Sequence, residues 1–148
     1  MYLARCAPVD GGVIAYEACA RGPAGSILES PAALFETALA TGREVALDWA
    51  CRLAAIEGAI EAALPPSIAL FINVEPASLG RPIPADIQRD FERARQRLRI
   101  VLEITERALA SRPAELLALI ERVRAMDWAV ALDDVGAVGE LALGFFPL

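Results

Sequence analysis

Histidine and lysine are absent from the sequence, and all 14 of its basic residues are arginine. The chain therefore has no histidine base or histidine metal ligand, no Schiff-base lysine and no P-loop lysine. The 3 cysteines lack the Cys-x-x-Cys spacing of zinc and redox sites, and their odd number favours reduced thiols in an intracellular protein. Any chemistry performed by this chain uses carboxylates, amides, arginines and bound ions.

Targeting and membrane signals are also missing. The first residues lack the charged start and apolar stretch of a signal peptide, and no apolar run reaches the roughly 20 residues of a membrane helix. These features predict a cytoplasmic protein. A formal net charge of −6 disfavours nucleic-acid polymers, whose phosphates would be repelled. The 148 residues, 56% of them hydrophobic, predict one folded domain.

Short apolar runs of branched and aromatic residues predict β-strands. A hairpin is expected at the start of the chain, around the turn Asp10-Gly11-Gly12. The later runs are uninterrupted, which is typical of strands buried on both faces. The predicted strands cover residues 6–9, 13–16, 68–72, 100–102 and 129–132.

Amphipathic helical patterns fill the intervals between these strands. Ser30-Pro31 is typical of an N-cap followed by proline at the first helical position. Predicted helices cover about 31–40, 45–60, the end of the stretch 81–97, and a segment that begins at Pro113. Strands alternating with helices predict parallel βα units. Five arginines within 89–99 could form an anion site, but the interleaved Asp90 and Glu92 favour an exposed helix face.

Polar side chains follow or end the predicted strands at regular intervals. Asn73, Glu103 and Asp133 are spaced by 30 residues, close to the length of one βα unit, and Glu17 follows the second strand. Such residues meet at the carboxyl ends of parallel strands, where sites form in α/β folds. Each alone could be a helix cap, but five together, with Asp134, favour a shared site. Oxygen ligands without His or Cys suit Mg²⁺ or Mn²⁺, and less specifically Ca²⁺.

Four segments around these residues resemble the EAL-domain family, the cyclic di-GMP phosphodiesterases. They match, in order, the family's signature segment, its Asn-x-x-Pro strand end, its Glu-x-Thr-Glu segment and its double-aspartate segment. Cys19 stands where the signature has its name-giving leucine, a change between apolar side chains that affects packing more than chemistry. The segments are Tyr16–Arg21, Phe71–Pro76, Val101–Glu106 and Ala131–Gly136.

The resemblance implies a role for each matched residue. Arg21 would pair with a phosphate of cyclic di-GMP, because a planar guanidinium suits bidentate contact. Glu106 would brace the loop after Asp134 without binding metal. The implied ligands of a two-ion Mg²⁺ or Mn²⁺ site are Glu17, Asn73, Glu103, Asp133 and Asp134.

The resemblance also implies a (β/α) TIM-type barrel of eight strands, one of them antiparallel, in about 250 residues. Residues 1–148 are then expected to be the N-terminal portion of an EAL domain, an incomplete α/β barrel of about five strands. In the family, later strands carry the lysine that activates water and a further metal-binding glutamate. The resemblance thus implies a two-metal phosphodiesterase, truncated here and inactive alone.

Two alternatives remain open at this stage. The chain could be a degenerate EAL module that serves as a cyclic di-GMP-binding or protein-interaction scaffold. It could also be a small acidic α/β interaction domain without a ligand. An open barrel leaves a strand edge uncovered, so the expected partners include a second copy of the chain or the remainder of the same chain.

Overall fold

Five strands form one sheet in the order β1-β2-β3-β4-β5. The computed structural model describes residues 2–6, as backbone only, together with 12–105 and 112–133. β1 is antiparallel to β2, and the other neighbours are parallel. The strands are β1 Tyr2–Cys6, β2 Ala15–Cys19, β3 Ala69–Asn73, β4 Arg99–Thr105 and β5 Ala129–Asp133. The predicted α/β architecture with parallel strands is confirmed.

Helices connect the parallel strands, and their positions confirm the sequence patterns. The Ser30 hydroxyl accepts a hydrogen bond from the Ala33 backbone N–H at 3.2 Å, and Pro31 is the first helical residue. No helix in the described ranges is both long and apolar enough to cross a bilayer. The helices are α1 Pro31–Ala40, α2 Glu44–Glu61, α3 Gln88–Arg97 and α4 Pro113–Ala125, and a 3₁₀ turn covers Pro76–Ser78.

Apolar side chains cover both faces of the sheet, which explains why its strands are uninterrupted apolar runs. On one face the helices bury the larger core, in which Ile56 of α2 and Val123 of α4 pack with strand residues such as Ile104. On the other face lies a smaller group that we call the inner cluster. It consists of Ala15, Ala69, Phe71 and Val101, with Ala129 and Ala131 packed against it.

The predicted hairpin is present, but its strands were wrongly placed. The sequence favoured 6–9 and 13–16, whereas the structure pairs 2–6 with 15–19. Ile14 is 53% exposed despite its apolar side chain, whereas Ala15 and Ala18 are buried. Pairing with β3 decides the placement, because it sets Ala15 opposite Ala69. Glu17 consequently lies inside β2 and does not follow it.

The arginine-rich stretch is a solvent-exposed surface, as predicted. Its five arginines, from Arg89 to Arg99, are all exposed. Arg95 forms a salt bridge with Asp127 at 3.3 Å, between side chains that are both well exposed. Exposed pairs of this kind contribute little to stability.

Candidate functional site

Four of the predicted site residues share the inner face of the sheet. Side chains alternate along a strand, so a residue two positions beyond a member of the inner cluster points to the same face. Each of the four occupies such a position near the carboxyl end of its strand. We call these four residues the acidic edge: Glu17, Asn73, Glu103 and Asp133.

The register of the sheet places the four residues at different levels along their strands. Asn73 pairs directly with Glu103, as the spacing of 30 residues predicts. Asp133 does not pair with Glu103. It pairs with Thr105, the last residue of β4, which lies two residues beyond Glu103. Glu17 sits one side-chain repeat before the level of Asn73. Such a stagger accompanies the strand tilt of barrels.

A hydrogen bond links two members of the acidic edge. Asn73 Nδ2 donates to Glu17 Oε1 at 3.2 Å, across the diagonal between β3 and β2. This bond uses the amide nitrogen and one carboxylate oxygen. The second Glu17 oxygen and the Asn73 carbonyl oxygen are acceptors that the bond does not use.

Glu103 carries the strongest electrostatic signature of the site. Burial, followed by the negative charges of Glu17 and Asp133, raises the pKa of its carboxyl to about 7. Its Oε2 is buried and has no hydrogen-bond partner among the described residues. A buried anionic oxygen without a partner is costly unless a cation or a proton neutralises it. The donor set therefore fits a hard divalent cation.

In the described ranges, the acidic side chains lie too far apart to form a coordination sphere. Within residues 12–105 and 112–133, no three His, Cys, Asp or Glu side chains form a group that could hold a metal ion. An ion at the acidic edge would therefore draw these side chains closer together or use a ligand from outside those ranges. Two predicted site residues, Glu106 and Asp134, lie outside the described residues.

Arg21 lies just beyond β2 and is exposed. Its Nη1 donates to the Ala20 carbonyl at 2.7 Å. The loop that follows is compact, because the Gly22 N–H donates to the Glu29 carbonyl at 3.2 Å. A Cβ at Gly22 would lie only 1.9 Å from the Leu28 carbonyl oxygen, so glycine is required for this close approach.

One polar contact near the site was missed by sequence reasoning. Asp48 and Arg52 of α2 form a buried ion pair, and Asp48 Oδ1 accepts the Glu75 backbone N–H at 3.1 Å. A signal was present in the sequence. The two charges lie four residues apart within the apolar stripe that also contains Trp49 and Ile56, where a helix that packs on a sheet normally has apolar residues.

The sheet and its edge together define a class of protein: an α/β barrel-type domain with carboxylate and amide side chains near the carboxyl ends of its strands. The family model for the EAL domain matches residues 1–140, and the chain belongs to the EAL domain family. Its sheet is an incomplete form of that family's barrel. No match was found among curated proteins.

Solved structures support the same fold. A calcium and cy-diGMP complex of Klebsiella pneumoniae BlrP1 has a TM-score of 0.74 at 25% identity, covering 95% of this chain and 35% of that chain. A manganese and cy-diGMP complex of BlrP1 gives 0.71 at 22%, with 94% and 35% covered. The FimX EAL domain from Pseudomonas aeruginosa, bound to c-di-GMP, gives 0.68 at 22%, with 83% and 50% covered. The chain thus spans about a third to a half of these proteins.

Proposed function

We propose that this chain binds cyclic di-GMP through a divalent cation, Mg²⁺ or Mn²⁺, held at the acidic edge. The observation that carries the proposal is the buried Glu103 Oε2, which has no hydrogen-bond partner within the described part of the chain and lies beside the charges of Glu17 and Asp133. A cation there would relieve the repulsion among these three carboxylates. The similar BlrP1 structures hold cy-diGMP together with calcium or manganese, which supports this ligand pair.

Each residue of the acidic edge has a distinct part in this proposal. Glu103 and Asp133 supply anionic oxygens to the cation, and Asn73 supplies its carbonyl oxygen while its amide nitrogen orients Glu17. The inner cluster lies on the same face of the sheet, with Phe71 two residues before Asn73 on β3, and gives the site an apolar floor. By resemblance, Asp134 adds a further ligand and Glu106 braces the loop that follows it.

Arg21 binds a phosphate of the dinucleotide in this proposal. Its exposed guanidinium lies at the carboxyl end of the strand that carries Glu17. A bidentate contact with a phosphodiester would use two of its five N–H groups. The compact loop after Arg21 limits the directions in which its backbone can move.

We propose further that residues 1–148 are the N-terminal portion of an EAL domain and do not hydrolyse cyclic di-GMP by themselves. A bound cation of this kind polarises a phosphate and lowers the pKa of coordinated water. Hydrolysis also needs a group that accepts the proton of the attacking water. By resemblance that group is a lysine, and this sequence contains none. Binding without turnover would make the chain a cyclic di-GMP-binding module.

The edges of the sheet support a proposal about partners. β1 and β5 each have a single neighbour among the described strands. Exposed strand edges favour pairing with further strands. We propose that strands of the same protein or of a second copy cover the β5 edge. Sedimentation of the purified chain tests this, because a compact and stable monomer would contradict it.

The binding proposal is tested by titrating Mn²⁺ into the protein without nucleotide. Wild-type protein is expected to bind Mn²⁺, and Glu103→Gln is expected to bind at least about tenfold more weakly because the amide lacks the negative charge. Glu121→Gln is the matched control, since Glu121 is exposed on α4 and lies away from the acidic edge. Equal affinity in wild type and Glu103→Gln would show that Glu103 is no ligand.

A further inference from the structure

An ion pair is buried in α2, directly behind the loop that leaves β3. Asp48 is 2% exposed and Arg52 is 3% exposed. Arg52 Nη2 donates to Asp48 Oδ2, and the two residues are one helical turn apart. The Arg52 guanidinium also lies over the Trp49 ring, 4.3 Å from its centroid. Both charged groups are therefore fixed in position by neighbours of the same helix.

Stability alone does not account for this pair. Removing two charges from water costs about as much as their attraction returns, and apolar replacements of buried pairs are often neutral or stabilising. Burial lowers the pKa of Arg52, although Asp48 acts in the opposite direction. Arg52 Nε has no hydrogen-bond partner among the described residues, which adds a further desolvation cost. The pair thus calls for a role beyond packing.

The second carboxylate oxygen of Asp48 shows what the pair holds. Asp48 Oδ1 accepts the backbone N–H of Glu75 at 3.1 Å. Glu75 is the residue immediately before the 3₁₀ turn Pro76–Ser78 and lies two residues beyond Asn73. Its N–H belongs neither to β3 nor to the following turn, and the side chain from α2 supplies its acceptor. The exit from β3 is thereby attached to α2.

The other side of this short segment is attached to the sheet. Val74 N–H donates to the Glu103 carbonyl at 2.9 Å. Asn73 is therefore followed by two consecutive anchored peptide groups, one on β4 and one on α2. Its own side chain donates to Glu17 on β2. Only one residue, Val74, separates Glu75 from Asn73, so we expect a shift of Glu75 to change the Asn73 backbone and the position of its amide relative to Glu17.

We infer that Asp48 and Arg52 are a positioning pair, which fixes the loop after β3 and through it the Asn73 side chain at the acidic edge. Arg52 holds the Asp48 carboxylate in the orientation that accepts the Glu75 N–H. The inference rests on the proposed function for the meaning of the Asn73 position, but the effect of Asp48 on Asn73, transmitted through Glu75, can be measured without any ligand.

The test compares two double variants of the pair. Asp48→Leu/Arg52→Met replaces both charges by apolar groups of similar size, which preserves packing but removes the acceptor for Glu75. Asp48→Asn/Arg52→Gln removes both charges but keeps an amide oxygen at residue 48 and a donor at residue 52. Glu121→Gln/Arg124→Gln is the control, because both residues are exposed on α4.

Amide hydrogen exchange and the side-chain amide resonances of Asn73 are the readouts, both measured on metal-free protein. In Asp48→Leu/Arg52→Met, exchange at Glu75 is expected to rise at least about tenfold while exchange at Ile72 within β3 is unchanged. The Asn73 side-chain resonances are expected to shift in the same variant. The amide pair, Asp48→Asn/Arg52→Gln, is expected to restore both readouts towards wild type, and the control variant is expected to change neither.

Three results would overturn the inference. The first is unchanged exchange at Glu75 in the apolar pair. The second is faster exchange at Glu75 with unmoved Asn73 resonances, and the third is failure of the amide pair to restore them. A Mn²⁺ titration of the same proteins separates this inference from the proposed function. Wild type that binds no Mn²⁺ would contradict the proposed function, whereas the exchange results would still decide the positioning role.

Discussion

Asn73 and Glu17 are joined by a 3.2 Å hydrogen bond between side chains that are 56 residues apart in sequence. The bond crosses from β3 to β2 on the inner face of the sheet, next to the half-buried Glu103. It orients one carboxylate before any ligand arrives. In the proposed function, this pre-orientation reduces the cost of assembling an ion site.

Asn73→Ala is expected to weaken Mn²⁺ binding by about tenfold or more, because it removes a carbonyl ligand and the donor that orients Glu17. Thermal stability should change little, since Asn73 is exposed. Calorimetric titration measures the affinity. Gln96→Ala is the control, as Gln96 is an exposed amide on α3. Equal loss of affinity in both variants would contradict a specific role for Asn73.

The raised pKa of Glu103 predicts that the stability of metal-free protein depends on pH. Its folded-state pKa is raised to about 7, above the value of an unfolded glutamate. The folded state therefore binds the proton more tightly, and the stabilisation present below about pH 4.3 is lost as the pH rises towards 7. Glu103→Gln should lack this decline and melt about 3 °C or more above wild type at pH 8.

Thermal melts from pH 4 to 8 measure this effect. Added Mn²⁺ is expected to raise the melting temperature of wild type at pH 8 and to leave Glu103→Gln nearly unchanged, because binding to the folded state stabilises it. Parallel pH profiles for wild type and Glu103→Gln would show that Glu103 ionises normally in the folded protein.

Gly22→Ala is expected to displace the loop that follows Arg21. The new Cβ would meet the Leu28 carbonyl oxygen at 1.9 Å, so the backbone has to move. We expect a loss of about 1–3 kcal/mol in the free energy of unfolding and about tenfold weaker cyclic di-GMP binding, with Mn²⁺ affinity retained.

Gly58→Ala is the matched control for that substitution. A Cβ at Gly58 meets nothing within 4 Å, and the residue lies inside α2. Alanine there should stabilise the protein by about 0.5–1 kcal/mol through its helix propensity. Urea denaturation of both variants gives the two free energies. Similar effects of the two substitutions would contradict the steric argument at Gly22.

Substitutions of Asp48 and Arg52 are expected to have strongly non-additive effects on the free energy of unfolding. Asp48→Leu alone leaves a buried guanidinium without its partner and is expected to cost about 3–5 kcal/mol. Asp48→Leu/Arg52→Met should lie within about 1–2 kcal/mol of wild type, since the unpaired charge is gone. Denaturant unfolding measures both. A double variant as unstable as the single one would show that the pair itself stabilises the fold.

Much of the fold could be predicted from local patterns. The Ser30-Pro31 cap, the apolar stripe of α2 and the uninterrupted runs of β3 and β4 each reflect interactions within a few residues, and the structure confirms them. The first hairpin was misplaced because Val13 and Ile14 are more hydrophobic than Ala15–Cys19. Only pairing with β3 reveals that the alanine-rich segment is the strand.

The sequence predicted which residues share the candidate site better than it predicted their relative positions. The spacing of 30 residues correctly paired Asn73 with Glu103, but it could not show that Asp133 lies two residues further along, because register depends on strand tilt. The contact from Asp48 to Glu75 joins residues 27 apart in sequence on different elements, and no local pattern specifies it.

Cyclic di-GMP binding in the presence and absence of Mn²⁺ tests the central claim most directly. The nucleotide is titrated calorimetrically into wild type and Glu103→Gln, with Mn²⁺ or with a chelator, and the samples are then analysed for the linear dinucleotide. We predict that Mn²⁺ tightens binding to wild type at least about tenfold, that Glu103→Gln loses this gain, and that no linear product forms. Equal affinity with Mn²⁺ and with the chelator would contradict binding through a cation at the acidic edge.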